Sequence, residues 1–194
     1  MRNVTPHESV SGYTGCGGRR SIFYYKIQKK KVKIMRLYKR EIKEIEEKKK
    51  VIEQCKVVRI GSMDEKGLFI VPMNFGYVLS MQDGSLKLYV HSACEGRKAE
   101  AFKKNKEIAF EMDCAHELIR GECACKYSYA YRSIMGTGVI HKVEEEQEKI
   151  LGLKLLLEHL QVNLETPFQS DMLKRTTVYR IDATQYTGKK KESK

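Results

Sequence analysis

The chain has 194 residues, of which 41% are hydrophobic and 32% charged, and a formal net charge of +12. That length suffices for one well-buried domain, and that composition excludes wholesale disorder. The charge sits at the ends: residues 1–34 carry eight Lys/Arg against Glu8, residues 189–194 carry four lysines against Glu192, and the body keeps only +2. Basicity of this kind gives no reason to expect nucleic acid as a partner.

Residues 1–34 mix Gly, Ser, Arg and Tyr without periodicity and end in Lys29-Lys-Lys-Val-Lys-Ile34 before Met35. Two readings stay open: a disordered basic extension, or an upstream region misread as coding, with Met35 the true start. The apolar run Ser21–Tyr25 is too short for a signal peptide. Gly67–Met81, the longest nearly uncharged stretch, is too short, and too interrupted by Pro72, to span a bilayer. With no export signal, the six cysteines read as reduced thiols, which implies a cytoplasmic protein.

From residue 35 the pattern becomes regular. Arg40–Cys55 has near-helical apolar spacing, with acids early and lysines late as the helix dipole favours. Three strands follow, at Lys56–Met63, Leu68–Leu79 and Leu86–Ser92, divided by turns at Asp64–Gly67 and Gln82–Ser85. Pro72 lacks a backbone donor and places the second strand at an edge or bulge. A short helix is predicted over Gly96–Asn105 and a fourth strand over Glu107–Asp113, then a cysteine-containing loop, Cys114–Lys126. Tyr127–Val143 is strand-like, with Gly136 and Gly138 marking a bend. Glu144–Val162 is the clearest helix, with Ile150, Leu153, Leu157 and Leu160 on one side for core or dimer packing. Thr176–Tyr186 closes the pattern as a sixth strand. Strands joined by hairpins, with few helices, indicate a mainly β (α+β) domain over 35–188, a small barrel rather than a doubly wound sheet, with 189–194 left as a basic tail.

The segment richest in chemistry is Leu88-Tyr-Val-His-Ser-Ala-Cys-Glu-Gly-Arg-Lys98. A strand runs into a small-residue turn, and Arg97-Lys98 then opens a helix. Two cations beside free helix-opening amides, with Ser92 close by, suit a phosphate. A solvated basic turn is the bland reading. Cys114-Ala-His116 and Cys123-Ala-Cys125 offer metal-ligand types, but Cys-x-Cys is not the spacing of zinc knuckles, and no metal is expected.

These motifs, with Val71-Pro-Met-Asn-Phe-Gly-Tyr77 before and Tyr131-Arg-Ser-Ile-Met-Gly-Thr-Gly138 after, resemble the pyridoxamine 5′-phosphate oxidase-like flavoproteins, and most closely their nitroimidazole-resistance branch. The resemblance runs over roughly Met35 to Lys189. It implies a six-stranded split β-barrel with flanking helices, a homodimer with shared sites, and FMN as cofactor. By position, Arg97 and Lys98 match the pair that grips the FMN phosphate, and Ser92 and Ala93 match residues near the flavin. Ser133 matches a further cofactor contact, and Pro72, Met73 and Asn74 lie on the strand beside the flavin ring. Pro72 and Tyr77 stand where that strand carries an arginine and a lysine, and the chain has no Trp. It is therefore not expected to be a true pyridoxamine phosphate oxidase. His91, in His-Ser-Ala, corresponds to a histidine near the flavin and substrate, and is the candidate catalytic residue. The resemblance implies a flavin-dependent reductase, drawing on NAD(P)H or another low-potential donor and acting on a small acceptor such as a nitroaromatic. A non-catalytic flavin or haem carrier on the same fold is the alternative.

Overall fold

The computed structural model describes residues 37–163 and 168–193. The segment 1–34, with both readings of it, lies outside the described residues.

After a 3₁₀ turn at Tyr38–Arg40 come β1 (Glu41–Ile42), α1 (Ile45–Gln54), β2 (Val58–Asp64), β3 (Gly67–Met73), β4 (Phe75–Leu79) and β5 (Leu86–Ala93). Then follow α2 (Arg97–Lys104), β6 (Glu107–Ile119), β7 (Ser128–Lys142), α3 (Glu146–His159), α4 (Ser170–Arg175) and β8 (Thr176–Lys191). All pairings are antiparallel, in the order β3-β2-β6-β7-β8-β5-β4, with β1 added on β8. The two ends of that path, β3 and β4, are consecutive in the chain and meet at Asn74. The sheet therefore curls until its edges share one corner, the geometry of a barrel split along a seam.

The period-2 pattern explains the closure. In β5, Leu86, Leu88 and Val90 are buried while Lys87 and His91 face out, and in β2, Val58 and Ile60 turn inward with Arg59 outward. The inward rows meet Phe75, Ile108, Phe110 and Ile134 in one core, capped by Val51 and Ile52 of α1. Pro72 sits on β3, an end strand of the path, where its missing N–H breaks no second ladder.

The structure corrects several boundaries. There are eight strands rather than six, because the expected Leu68–Leu79 strand divides at Asn74 and a two-residue strand, β1, was not foreseen. The Asn74 side-chain amide donates to the Lys56 carbonyl at 2.8 Å and anchors the break. β6 continues to Ile119 through a bulge between Cys114 and Glu117, which shortens the expected cysteine loop. The bend foreseen at Gly136 and Gly138 appears as a register shift between Thr137 and Gly138 against β8. Lys189 to Lys191 are no tail: they end β8, pairing with Ser133, Arg132 and Tyr131 of β7.

Helix α3 also differs from expectation. Its buried positions are Gly152, Leu156 and His159, while Ile150, Leu153, Leu157 and Leu160 are only half-buried. The cause is close approach. A Cβ on Gly76 of β4 would lie 2.4 Å from the Leu156 nitrogen and 2.5 Å from the Leu155 carbonyl carbon, so the helix backbone rests directly on the strand. Arg180 of β8 then ties α3 to the sheet, donating to Glu148 at 2.7 Å and to both Asp182 oxygens, with the Tyr89 hydroxyl also on Glu148 at 3.1 Å. Among the described residues no helix is long and apolar enough to cross a membrane.

Candidate functional site

The seam has two fixed ends. At one, Phe75 of β4 pairs with Val90 of β5, so Asn74 and Met73 leave the ladder at the level of His91 and Ser92. At the other, the Arg97 guanidinium reaches the Gly67 carbonyl at 3.5 Å. Between them β3 and the segment from His91 to Arg97 run from a common corner without pairing to each other. This is where the fold gathers His91, Ser92, Ala93, Arg97 and Lys98, with Pro72, Met73 and Asn74 across the gap.

α2 begins without a side-chain cap. Its N-cap is Gly96, at φ 118°, and the first intrahelical bond runs from Glu100 N–H to the Gly96 carbonyl at 3.1 Å. The preceding amides are left open, and they carry the partial positive charge of a helix start. Lys98 enters no salt bridge among the described residues, in contrast to its neighbours Arg97, Lys103 and Lys104. The open amides and the Lys98 ammonium form a donor set that fits a phosphate, while the buried Ser92 hydroxyl donates to the Ala93 carbonyl at 2.7 Å.

Arg97 is engaged elsewhere. Its Nε and Nη2 fork on the two Asp64 oxygens at 2.7 and 2.9 Å, and its guanidinium lies 4.5 Å over the Phe69 ring. The hydrogen bond from Arg97 holds the Asp64 carboxyl below its ordinary range. Sequence reading missed Asp64, which looked like turn chemistry only; no spacing rule links the end of β2 to the start of α2.

His91 is exposed on β5, and its imidazole is held below its ordinary pKa, first by loss of hydration and then by the Lys98 ammonium. It is therefore neutral at pH 7, with one N–H to donate and one lone pair to accept. Cys94 is not poised for reaction: its thiol donates to the Arg175 carbonyl and accepts from Thr177, both at 3.3 Å.

Ser133 does not join this group. It pairs with Lys189 on β8, whereas His91 pairs with Val178, eleven residues away along the same strand. At the usual rise that is roughly 35 Å measured along β8, so the ladder sets Ser133 apart from the other expected cofactor contacts.

Tyr77 also faces elsewhere, into a cleft of about 530 Å³ with Glu53, Lys56, Leu155, Glu158 and His159. Burial, reinforced by the Glu53 carboxylate, pushes the Tyr77 phenol up to about 12. His159 bonds the Cys55 carbonyl at 2.7 Å and packs on Phe75 and Tyr77, which makes it structural. Burial holds its imidazole below the ordinary value, so the unfolded chain takes up this proton more readily than the folded one. Stability should therefore fall as pH drops from 7 toward 5, and fall less in His159→Gln. Urea melts at both pH values measure the two slopes; equal slopes would remove His159 from the acid response.

One face of the sheet is unusually apolar. Leu68 is 83% exposed, Ile70 71% and Met135 56%, projecting from β3 and β7 on the solvent side. Arg59 lies on the same side, bridging Glu111 at 3.1 Å and Asp113 at 2.6 Å.

Comparison with known proteins places this geometry in context. A family model described as pyridoxamine 5′-phosphate oxidase matches residues 44–190, reaching into the strand end that had been read as a tail. The fold is similar to that of a candidate 5-nitroimidazole antibiotic resistance protein from Bacteroides thetaiotaomicron, at 27% identity and TM-score 0.66, over 77% of this chain and 85% of the other. It is also similar to the flavocytochrome Anf3 from Azotobacter vinelandii, at 17% identity and TM-score 0.67, over 82% of this chain and 73% of that one. A third is the FAD- and haem-binding protein from Mycobacterium smegmatis, at 14% identity and TM-score 0.66, over 79% of this chain and 74% of that one. The last two show a shared fold alone. Comparison with curated proteins gives no match. With three-quarters of its length matched by one family model and its strands closing into the split barrel anticipated from LYVHSACEGRK, the chain belongs to the pyridoxamine 5′-phosphate oxidase family.

Proposed function

We propose that this protein binds FMN in the seam and acts as an oxidoreductase, passing electrons from a reduced nicotinamide to a small acceptor of the nitroaromatic class. The observation that carries the reading is the uncapped start of α2, with its open amides and a Lys98 that has no salt bridge among the described residues, next to His91. The similarity to the Bacteroides protein supports the choice of acceptor. Bound flavin would supply the electron transfer itself. The chain's own residues do the rest: the α2 amides and Lys98 hold the phosphate, Ser92 braces the turn before α2 by donating to the Ala93 carbonyl, and neutral His91 presents a hydrogen-bond donor to the acceptor. Pro72, Met73 and Asn74 form the wall across the seam.

Anaerobic mixing of FMN-loaded protein with NADH or NADPH tests the reading. Bleaching of the flavin's visible band, reversed by a 5-nitroimidazole, is the expected result. A folded protein that retains no FMN ends it, and one that holds FMN but is reduced by neither nicotinamide is a carrier. His91→Ala should keep FMN while lowering turnover, because the imidazole is no part of the phosphate grip. If that variant loses all flavin, His91 belongs to the binding site instead.

The reading includes a homodimer. Leu68 and Ile70 form the apolar patch that a second copy would cover, and a second copy is the source that could bring Ser133 to the seam. Leu68→Glu/Ile70→Glu should give a monomer by light scattering, with circular dichroism unchanged and FMN affinity lowered. A double variant that remains dimeric would place the interface elsewhere.

A further inference from the structure

The loop between β6 and β7 carries an exposed pair of thiols that the flavin site does not use. Cys123 Sγ and Cys125 Sγ lie 3.1 Å apart. Their approach is imposed by the turn. A Cβ on Gly121 would lie 2.5 Å from the Lys126 carbonyl carbon, so the loop doubles back on itself there. Lys126 N–H also closes on the Cys123 carbonyl at 2.9 Å, and the Lys126 ammonium pairs with Glu122 at 2.7 Å. The 3₁₀ turn at Ala124–Lys126 thus presents both sulfurs on one side of a closed, solvent-facing loop.

The other thiols of the described chain are placed differently. Cys55 is 2% exposed, and burial drives its thiol far up. Cys114 faces Cys55 and donates to the Gln54 side chain. Cys94 is hydrogen-bonded to backbone and Thr177. Cys123 and Cys125 are the exposed pair in mutual contact. No third metal-ligating side chain completes a cluster with them among the described residues, so the pair is built for sulfur chemistry rather than for a tetrahedral metal.

We infer that Cys123 and Cys125 form a redox-active dithiol that exchanges with small-molecule disulfides. One thiolate attacks a sulfur of the small disulfide; a mixed disulfide forms and the first small thiol leaves. The second protein thiolate attacks the protein sulfur of that mixed disulfide, forming the Cys123–Cys125 bond and expelling the second small thiol. The protein loses two electrons and two protons, and the small disulfide gains both. Holding the second sulfur against the first makes resolution intramolecular, so it outruns accumulation of the mixed disulfide. The covalent state of the loop then follows the thiol–disulfide poise around it.

The test uses the full chain equilibrated in mixtures of reduced and oxidised glutathione, acid-quenched, alkylated and mapped by peptide mass. Wild type should lose two hydrogens on the peptide holding both cysteines and carry no glutathione there. Cys123→Ser and Cys125→Ser should each trap a stable glutathione adduct on the remaining cysteine. Stable adducts on the wild-type pair, two thiols that stay alkylatable in the most oxidising mixture, or a bond to any other cysteine would each overturn the assignment. Circular dichroism of both variants checks that the fold is intact.

Discussion

Arg97→Ala should weaken FMN binding more than Lys98→Ala, and removing Asp64 as well should restore part of the loss. The structure makes the two cations unequal. Lys98 enters no salt bridge among the described residues, and its removal subtracts one attraction to the phosphate. Arg97 is forked on Asp64, and its removal also leaves an uncompensated carboxylate close to a dianion. Truncating one partner of a charge pair leaves the other uncompensated beside the bound anion, whereas removing a lone cation costs only its own attraction. Titrations of FMN and riboflavin into wild type, Arg97→Ala, Lys98→Ala and Arg97→Ala/Asp64→Ala decide the point. Riboflavin, without the phosphate, should discriminate little among the four. If the Asp64 substitution adds a further loss instead of a recovery, the carboxylate helps to hold the flavin, and the proposed grip is misassigned.

Gly76→Ala should be among the most damaging single-methyl changes available in this chain. The added carbon would meet helix backbone at 2.4–2.5 Å, and backbone cannot rotate aside as a side chain can. Overfilling of this sort costs about 3 kcal/mol or more when the neighbour cannot yield, enough to lift α3 from β4 and to loosen the Tyr89–Glu148–Arg180 tie. Gly61→Ala is the control. Its added carbon would come no closer than 3.7 Å to Ala109, ordinary contact, and the change should leave stability within about 0.5 kcal/mol. Urea denaturation of both variants measures the difference; equal stabilities would mean that α3 rides higher on the sheet than described.

Much of this was legible in the residues because it depends on local pattern. The alternation in Leu86–Ser92, the turn at Gln82–Ser85, the start of α2 at Arg97 and the edge position of Pro72 all follow from period, turn chemistry and a missing N–H. What escaped depends on partners distant in sequence. The continuous apolar run Leu68–Leu79 looks like one strand, and only the pairing of β3 with β2 and of β4 with β5 divides it at Asn74. The leucines of α3 suggested a buried stripe, but Gly76, some eighty residues earlier, sets which face lies lowest. Lysines at 189–191 read as solvated, yet the ladder to β7 and β1 outweighs their polarity. The site divides in the same way. His91, Ser92, Arg97 and Lys98 sit in one stretch of chain and were found together; Asp64 joins them through the fold, and Ser133 stands far off because strand order, not motif order, decides proximity.

The course of β8 bears on how the molecule comes to be folded. This strand pairs with β1, β5 and β7, so Leu88 waits for Ile181 and Ile42 for Gly188. The pairings with β5 and β1 bring together residues about 90 and about 150 positions apart, and such closures are entropically costly and slow compared with a hairpin. During synthesis the β2–β3, β4–β5 and β6–β7 hairpins are all available before β8 has left the ribosome, yet no hairpin among them can complete the barrel. Until then β5 and β7 each present a bare edge beside unburied Leu88, Val90 and Ile134. Until residues 176–191 emerge, the cell therefore handles a half-sheet with sticky borders, and chaperone demand should be concentrated in that interval.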